Sequence, residues 1–84
     1  MNTIHWTPKA VRQLRKLDKR MQQPVVQAVE TLQRMPDCGN VKALSGHAFG
    51  YRLRVGNYRI LLDWDGGVRI VEIQEVRKRD ERTY

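Results

Sequence analysis

The stretch that decides the fold is GYRLRVGNYRILLDWDGGVRI, residues 50–70. Apolar side chains alternate with arginines on both sides of Gly56-Asn57, a dipeptide that favours a tight turn between antiparallel strands. A two-residue turn sets three cross-strand pairs, which are Val55 with Tyr58, Arg54 with Arg59, and Leu53 with Ile60. The apolar sides match across this hairpin, so the sequence predicts one core face and one arginine face.

The arginine face contains Arg52, Arg54 and Arg59, because side chains two residues apart share a face of a strand. Arginines placed directly opposite each other repel, which a fold with no use for them would tend to avoid. Their aliphatic stems could simply cover apolar surface while the charged groups stay in water. The alternative is an anion site, since guanidinium groups hold phosphate in a fixed, bidentate geometry. We favour the anion site.

The rest of the chain supplies the elements that cover the core face. Thr7 is a good N-cap and Pro8 a good first residue for a helix that ends near Asp18. A second helix, capped by Asp18 or a neighbour, should hold Pro24 in its first turn and close at Pro36. The strand-like runs are residues 2–6, about 49–55, 57–64 and 68–78, while 41–49 is expected to be irregular.

These elements give the order β-α-α-β-β-β in one domain that spans residues 1–84. Antiparallel strands joined by short turns form a meander, and two amphipathic helices need a sheet to cover. The sequence therefore predicts the α+β class, with a helical hairpin packed on an antiparallel sheet.

Composition narrows the class of partner. The formal net charge is +7 and the pI is about 10.2, which favours a polyanionic partner, with nucleic acid as the first candidate. The single cysteine, Cys38, fits a reducing cytoplasm, and no signal peptide or membrane-spanning run is visible. No residue spacing indicates a metal site, and no cofactor motif is present. We expect a cytoplasmic protein that needs neither metal nor cofactor.

The residues after the hairpin fall on both faces of the sheet. A turn at Gly66-Gly67, or at Asp65-Gly66, leads into the last strand. Strand parity places Arg69 on the opposite side from the site, near a sheet end, whereas Glu72 and Gln74 could share the arginine face and neutralise it. Beyond them the chain ends in basic residues and a tyrosine, which are Arg77, Lys78, Arg79, Arg82 and Tyr84.

The order of elements and three motifs resemble the RelE/ParE superfamily of bacterial toxin–antitoxin toxins. The motifs are LSG (44–46), YRLRVGNYRILLDWDGG (51–67) and VRKR (76–79), followed by Tyr84. The resemblance covers the whole chain as a pattern and is specific from about Leu44 onward. It implies a RelE-like fold.

RelE-type members of this superfamily are mRNA interferases, which enter the ribosomal A site and cut the message with the codon's own 2′-hydroxyl as nucleophile. By resemblance, Arg59 and Arg79 contact the scissile phosphate, with Lys78 as the fallback for Arg79. Tyr84 orients or deprotonates the nucleophile, or stacks on a base. Arg52 and Arg54 match strand positions that are commonly lysine in such enzymes. Arg52, Arg54, Arg77, Lys78 and Arg82 are the predicted RNA-binding residues.

The general base stays open at this point. Arginine does not lose its proton in proteins, so Arg52 and Arg54 cannot act where a lysine with a lowered pKa could. Tyr84, Lys78 or His47 would have to share the acid–base work, and His47 has an imidazole suited to it. His5 lies far from the basic cluster in sequence and is expected to have a structural or surface role.

Three functions remain in view. The first is a ribosome-dependent endoribonuclease toxin that is silenced by a cognate acidic antitoxin and contacts operator DNA only within the toxin–antitoxin complex. The second is a ParE-type inhibitor of DNA gyrase without nuclease activity. The third is a non-catalytic RNA-binding module. The arginine face and the basic C-terminal segment favour the first.

Overall fold

Five strands form one mixed sheet in the computed structural model, which describes residues 1–78. The elements in chain order are β1 (Thr3–Trp6), α1 (Pro8–Arg15), α2 (Lys19–Glu30), a short 3-10 helix (Thr31–Arg34), β2 (Val41–Ala43), β3 (Tyr51–Val55), β4 (Tyr58–Asp65) and β5 (Ile70–Lys78). The strand order is β1-β5-β4-β3-β2, with β1 parallel to β5 and all other neighbours antiparallel. The predicted α+β class and the predicted β3–β4 register are confirmed.

Two features of the sheet extend the prediction. A three-residue strand, β2, lies inside the segment expected to be irregular, and it pairs with β3 through Lys42 and Arg52. A run this short has too few residues to show an alternating pattern. The first strand pairs in parallel with β5, so the sheet is mixed and not purely antiparallel. A four-residue strand carries no sequence signal for the direction of its partner.

The helix boundaries follow from capping. Thr7 is the N-cap of α1, because its Oγ1 accepts a hydrogen bond from the backbone N–H of Ala10 at 3.2 Å. Asp18 is the N-cap of α2, with Oδ1 accepting from the N–H of Arg20 at 3.1 Å. The first helix ends at Arg15, slightly earlier than expected, because Asp18 already begins the next helix. No helix within residues 1–78 is long and apolar enough to span a membrane.

The expected place of Pro24 was wrong. It lies inside α2, as the sixth residue of a helix that begins at Lys19, and not in its first turn. Proline lacks the N–H that would bond the carbonyl of Arg20. The side chain of Pro24 is exposed, so water can satisfy that carbonyl, which makes the interior proline tolerable.

One apolar cluster joins the helices to a single face of the sheet. Its buried members alternate along the strands, as expected when only one face is covered. They are Ala10, Val25, Val29, Leu32, Met35, Leu53, Ile60, Leu62, Val71, Ile73 and Val76. The helices therefore leave the other face of the sheet, which we call the open face, available for function.

The two hairpin turns differ in how they are made. Gly56 has a φ of 55°, so the β3–β4 turn uses glycine at the first central position, as predicted. In the β4–β5 turn the positive φ, 58°, belongs to Arg69 and not to either glycine of the Gly66-Gly67 pair. Gly66 is needed for space instead, since a Cβ there would lie 2.9 Å from the Trp64 ring.

A β-bulge in β5 is fixed by helix α1. Leu61 of β4 pairs with Glu75 and Leu62 with Ile73, so Gln74 is an extra residue in β5. The Oγ1 of Thr7 donates to the carbonyls of Ile73 at 2.9 Å and Gln74 at 3.3 Å. Gln13 accepts from the N–H of Val76 through Oε1 at 2.7 Å. The N-cap residue Thr7 and Gln13 of α1 thus supply β5 with hydrogen-bond partners beyond the end of β1 at Trp6.

Removing the Thr7 hydroxyl should destabilise the fold. Thr7→Ala loses both the helix cap and the hydrogen bonds to the bulge, so we expect a loss of about 1–2 kcal/mol in the free energy of unfolding. Urea unfolding followed by circular dichroism measures this loss. Thr7→Ser keeps the hydroxyl and should stay close to the unmodified chain, and equal midpoints for the two variants would contradict the role of Thr7.

Candidate functional site

Three arginines form a row across the open face. Arg54 of β3 pairs with Arg59 of β4, and Arg59 pairs in turn with Arg77 of β5. Residues that pair directly across a sheet point to the same side, and neighbouring strands lie about 4.8 Å apart. The three guanidinium groups therefore start from one line about 10 Å long. We call Arg54, Arg59 and Arg77 the arginine row.

A second line of residues lies beside the arginine row. Lys42 pairs with Arg52, Arg52 with Leu61, and Leu61 with Glu75. Leu61 is only 4% exposed although it points away from the helices. Long arginine stems on neighbouring strands can cover an apolar side chain while their charged groups stay accessible. The two lines together place five cations and one carboxylate on this half of the open face.

The bulge decides which residues of β5 join the site. Strict alternation would place Gln74 beside the arginines, but the extra residue shifts the parity and brings Glu75 and Arg77 to the open face. Gln74 instead donates from Nε2 to Oδ2 of Asp63 at 3.1 Å. Glu72 lies towards the other end of the sheet, 3.6 Å from Nδ1 of His5. The expected neutralising role of Glu72 and Gln74 is taken by Glu75.

Glu75 is a nearly buried carboxylate with two basic neighbours. Arg77 donates to it twice, from Nε to Oε1 at 2.9 Å and from Nη2 to Oε2 at 3.0 Å. The Nζ of Lys9, on α1, lies 3.6 Å from Oε1. The hydrogen bonds from Arg77 lower the pKa of Glu75 more than its burial raises it, and the charges of Arg77 and Lys9 act in the same direction as these bonds. Glu75 is therefore ionised near neutral pH.

The other predicted residues lie elsewhere. Lys78 pairs with the buried Tyr58, which places it on the helix side of the sheet. His47 lies in the loop that ends at Gly50. The N–H of Gly50 donates to Oδ1 of Asp63 at 2.8 Å, so the end of this loop meets β4 four residues from Arg59. Arg69 is exposed in the β4–β5 turn. Arg79, Arg82 and Tyr84 lie outside the described residues.

The charge of the open face changes from positive to negative along the strands. Away from the arginine row, a cleft of about 590 Å³ is lined by three carboxylates, by His5 and by apolar residues such as Val68 and Ile70. The carboxylates are Asp63, Asp65 and Glu72. In the part of the chain that the structure describes, no three His, Cys, Asp or Glu side chains are grouped to hold a metal ion. The chemistry offered by the basic half is anion binding by fixed cations.

Sequence reasoning missed Lys42, Lys9 and Glu75. Lys42 lies in the strand that was too short to detect, and the contact of Lys9 depends on how α1 meets β5. A signal for Glu75 was present, because Glu75 and Arg77 are two residues apart on one strand and must share a face. What the sequence did not show was which face that would be.

The chain matches the family described as ParE toxin of type II toxin-antitoxin system, parDE, over residues 4–83. A comparison with curated protein sequences found no match.

Solved structures of similar fold include toxins and toxin–antitoxin complexes. The toxin–antitoxin complex RelBE2 from Mycobacterium tuberculosis aligns with a TM-score of 0.79 and 31% identity, covering 93% of this chain and 98% of that one. The isolated E. coli RelE toxin gives 0.80 at 16% identity, covering 96% and 87%. The YoeB/ParE toxin from Agrobacterium tumefaciens gives 0.74 at 20% identity, covering 95% and 100%. The last two, at low identity, show a shared fold alone.

The family match spans nearly the whole chain, and the mycobacterial relative agrees with it in both sequence and fold. The chain therefore belongs to the RelE/ParE superfamily and is a toxin of a type II toxin–antitoxin system.

Proposed function

We propose that this toxin is a ribosome-dependent endoribonuclease that cuts mRNA in the A site. The observation that carries the proposal is the arginine row, with Arg52 and Lys42 beside it on the open face. The row has one arginine on each of three neighbouring strands. The phosphates of a single RNA strand can therefore lie over it. Arginines keep their charge at every physiological pH, and guanidinium groups bind phosphate oxygens bidentately.

The proposed chemistry is internal attack by a 2′-hydroxyl on the adjacent phosphate. This step forms a 2′,3′-cyclic phosphate and breaks the bond to the 5′-oxygen, which leaves as a hydroxyl after taking a proton from solvent, and it builds negative charge on the phosphorane oxygens. Fixed cations aimed at that charge stabilise the transition state more than the ground state. We assign this role to Arg54 and Arg59, with Arg79 as a further predicted contact. The ribosome would hold the codon in place, which is itself worth several kcal/mol.

Proton transfer needs a residue other than these arginines. Of the three candidates, Lys78 lies on the helix side of the sheet, and the Nδ1 of His47 accepts a hydrogen bond from the N–H of Phe49 within its own loop. We therefore propose Tyr84 as the residue that orients or deprotonates the 2′-hydroxyl.

The proposed partners follow from the same surface and from the relatives. The mycobacterial structure is a toxin–antitoxin complex. We propose that a cognate acidic antitoxin silences this chain, and that operator DNA is contacted only by the complex of the two. The message on the ribosome is the substrate, and the cytoplasm is the site of action.

Removing the central arginine should abolish most of the cleavage. In a purified translation reaction, mapping of message ends should show cuts phased with the codons at stalled ribosomes. Arg59→Ala should lower the rate on the order of 10²–10³-fold, the usual effect of losing one donor to a developing oxyanion.

Arg12→Ala is the matched control, since Arg12 is an exposed arginine on helix α1 and not on the open face. It should cut as fast as the unmodified chain. Equal cleavage by Arg59→Ala, or rapid cleavage of naked RNA without ribosomes, would contradict the proposed mechanism.

A second candidate is inhibition of DNA gyrase, which the ParE family match favours. The proposal of RNA cleavage predicts that supercoiling of relaxed plasmid by purified gyrase proceeds normally at toxin concentrations that stop translation. Intact message together with blocked supercoiling would replace the nuclease with the gyrase inhibitor. Intact message with toxin bound to RNA would instead indicate the non-catalytic RNA-binding module.

A further inference from the structure

Arg77, at the β5 end of the arginine row, makes a bidentate contact to the carboxylate of Glu75. Both oxygens of Glu75 accept from it, at 2.9 and 3.0 Å. The two side chains differ sharply in exposure, because the side chain of Glu75 is 7% exposed and that of Arg77 is 55% exposed. The carboxylate thus lies at the base of the sheet surface, and the guanidinium reaches from it into solvent.

The contact leaves much of the guanidinium available. Arginine has five N–H donors arranged around a plane, and Glu75 takes one on Nε and one on Nη2. Both donors of Nη1 and the second donor of Nη2 stay on the other edges of the plane. An anion can therefore bind Arg77 while Glu75 still holds it.

Two residues of helix α1 contact Glu75 and the residue that follows it. Lys9 lies 3.6 Å from Oε1 of Glu75, and the next residue, Val76, donates its N–H to Oε1 of Gln13 at 2.7 Å. Both Lys9 and Gln13 belong to α1. Residues 75 and 76 are thus tied to the helix immediately after the bulge, so the carboxylate has a fixed position from which to orient Arg77.

We propose that Glu75 is a positioning residue, which presents Arg77 to an RNA phosphate next to the one held by Arg54 and Arg59. The inference rests on the proposed function and adds to it a second phosphate subsite on β5. A free arginine has many rotamers, and ordering it before the ligand arrives removes that cost from binding. Arg77 lies two strands from Arg54, about 10 Å away, which places its contact beside the central pair.

The competing interpretation makes Glu75 a simple neutraliser of a crowded basic face. The two roles predict opposite signs for the same change. If Glu75 only neutralises, Glu75→Gln adds one unit of net positive charge and should tighten binding to a polyanion. If Glu75 positions Arg77, the same substitution should weaken binding, although it makes the protein more positive.

The experiment measures binding of the purified full chain to a fluorescein-labelled, single-stranded 2′-O-methyl RNA, which has no free 2′-hydroxyl and cannot be cut. We expect roughly tenfold weaker binding for Glu75→Gln, as for the loss of one charge-assisted hydrogen-bond pair. Arg77→Ala should weaken binding to a similar degree and reduce the slope of log K against log salt by about one. The double variant should bind no more weakly than Arg77→Ala alone, because Glu75 acts through Arg77.

Glu72→Gln is the matched control. Glu72 lies on the same strand and the same face as Glu75, and its carboxylate lies 3.6 Å from Nδ1 of His5. Its substitution therefore adds the same charge, but towards the other end of the sheet from the arginine row. It should leave binding unchanged or make it slightly tighter. A second variant, Arg77→Lys, tests the proposal if Glu75→Gln fails to fold. Lysine keeps the positive charge but cannot bind both carboxylate oxygens side by side, so this variant should also weaken RNA binding several-fold.

The outcomes separate this inference from the proposed function. Equal or tighter binding by Glu75→Gln, or unchanged binding by Arg77→Lys, would overturn the positioning role while leaving the nuclease proposal standing. Weaker binding by both variants, together with a ribosome assay in which the unmodified chain does not cut, would keep the phosphate subsite and overturn the nuclease. Absence of RNA binding by the unmodified chain would overturn the phosphate subsite, while the nuclease proposal is decided by the ribosome assay alone.

Discussion

The bulge at Gln74 is the constraint on which both faces of the sheet depend. Val71 and Ile73 point to the helices, and strict alternation would next bury residue 75 and expose residue 76. The extra residue reverses this order, so that Val76 completes the core and Glu75 turns to the open face. A shift of one residue moves every later side chain to the other side of a sheet. The helix side chains that hold the bulge, Thr7 and Gln13, therefore also determine where Arg77 lies.

The origin of these contacts explains how far the sequence could predict the structure. The β3–β4 hairpin was predicted to the residue, because Gly56-Asn57 and the alternation around it are local signals. The bulge is made by pairs 63 to 67 residues apart, such as Gln13 with Val76 and Thr7 with Gln74, and no local pattern marks them. For the same reason the sequence identified the arginines of β3 and β4 as neighbours, but did not show that Glu75, and not Glu72 or Gln74, is the β5 residue beside them.

The arginine row has an electrostatic cost that the fold must offset. Three like charges on adjacent strands repel, and a domain of 84 residues has only a small net stability to lose. Glu75 lies where it reduces this repulsion at one end of the row, and its burial makes the two hydrogen bonds from Arg77 stronger than an exposed pair would be. The contact that offsets repulsion at one end of the row is thus the same contact that holds the Arg77 guanidinium.

The choice of arginine over lysine limits what this face can do chemically. A lysine with a lowered pKa can exchange a proton, whereas arginine stays charged and can only bind and stabilise. A row of arginines therefore suits a reaction in which charge on the phosphate is the main barrier and the substrate supplies its own nucleophile. Such a reaction still needs one proton acceptor near the 2′-hydroxyl. Because Lys78 faces the helices and His47 lies in the loop near Asp63, the proposed division of labour leaves charge stabilisation to the sheet and proton transfer to Tyr84.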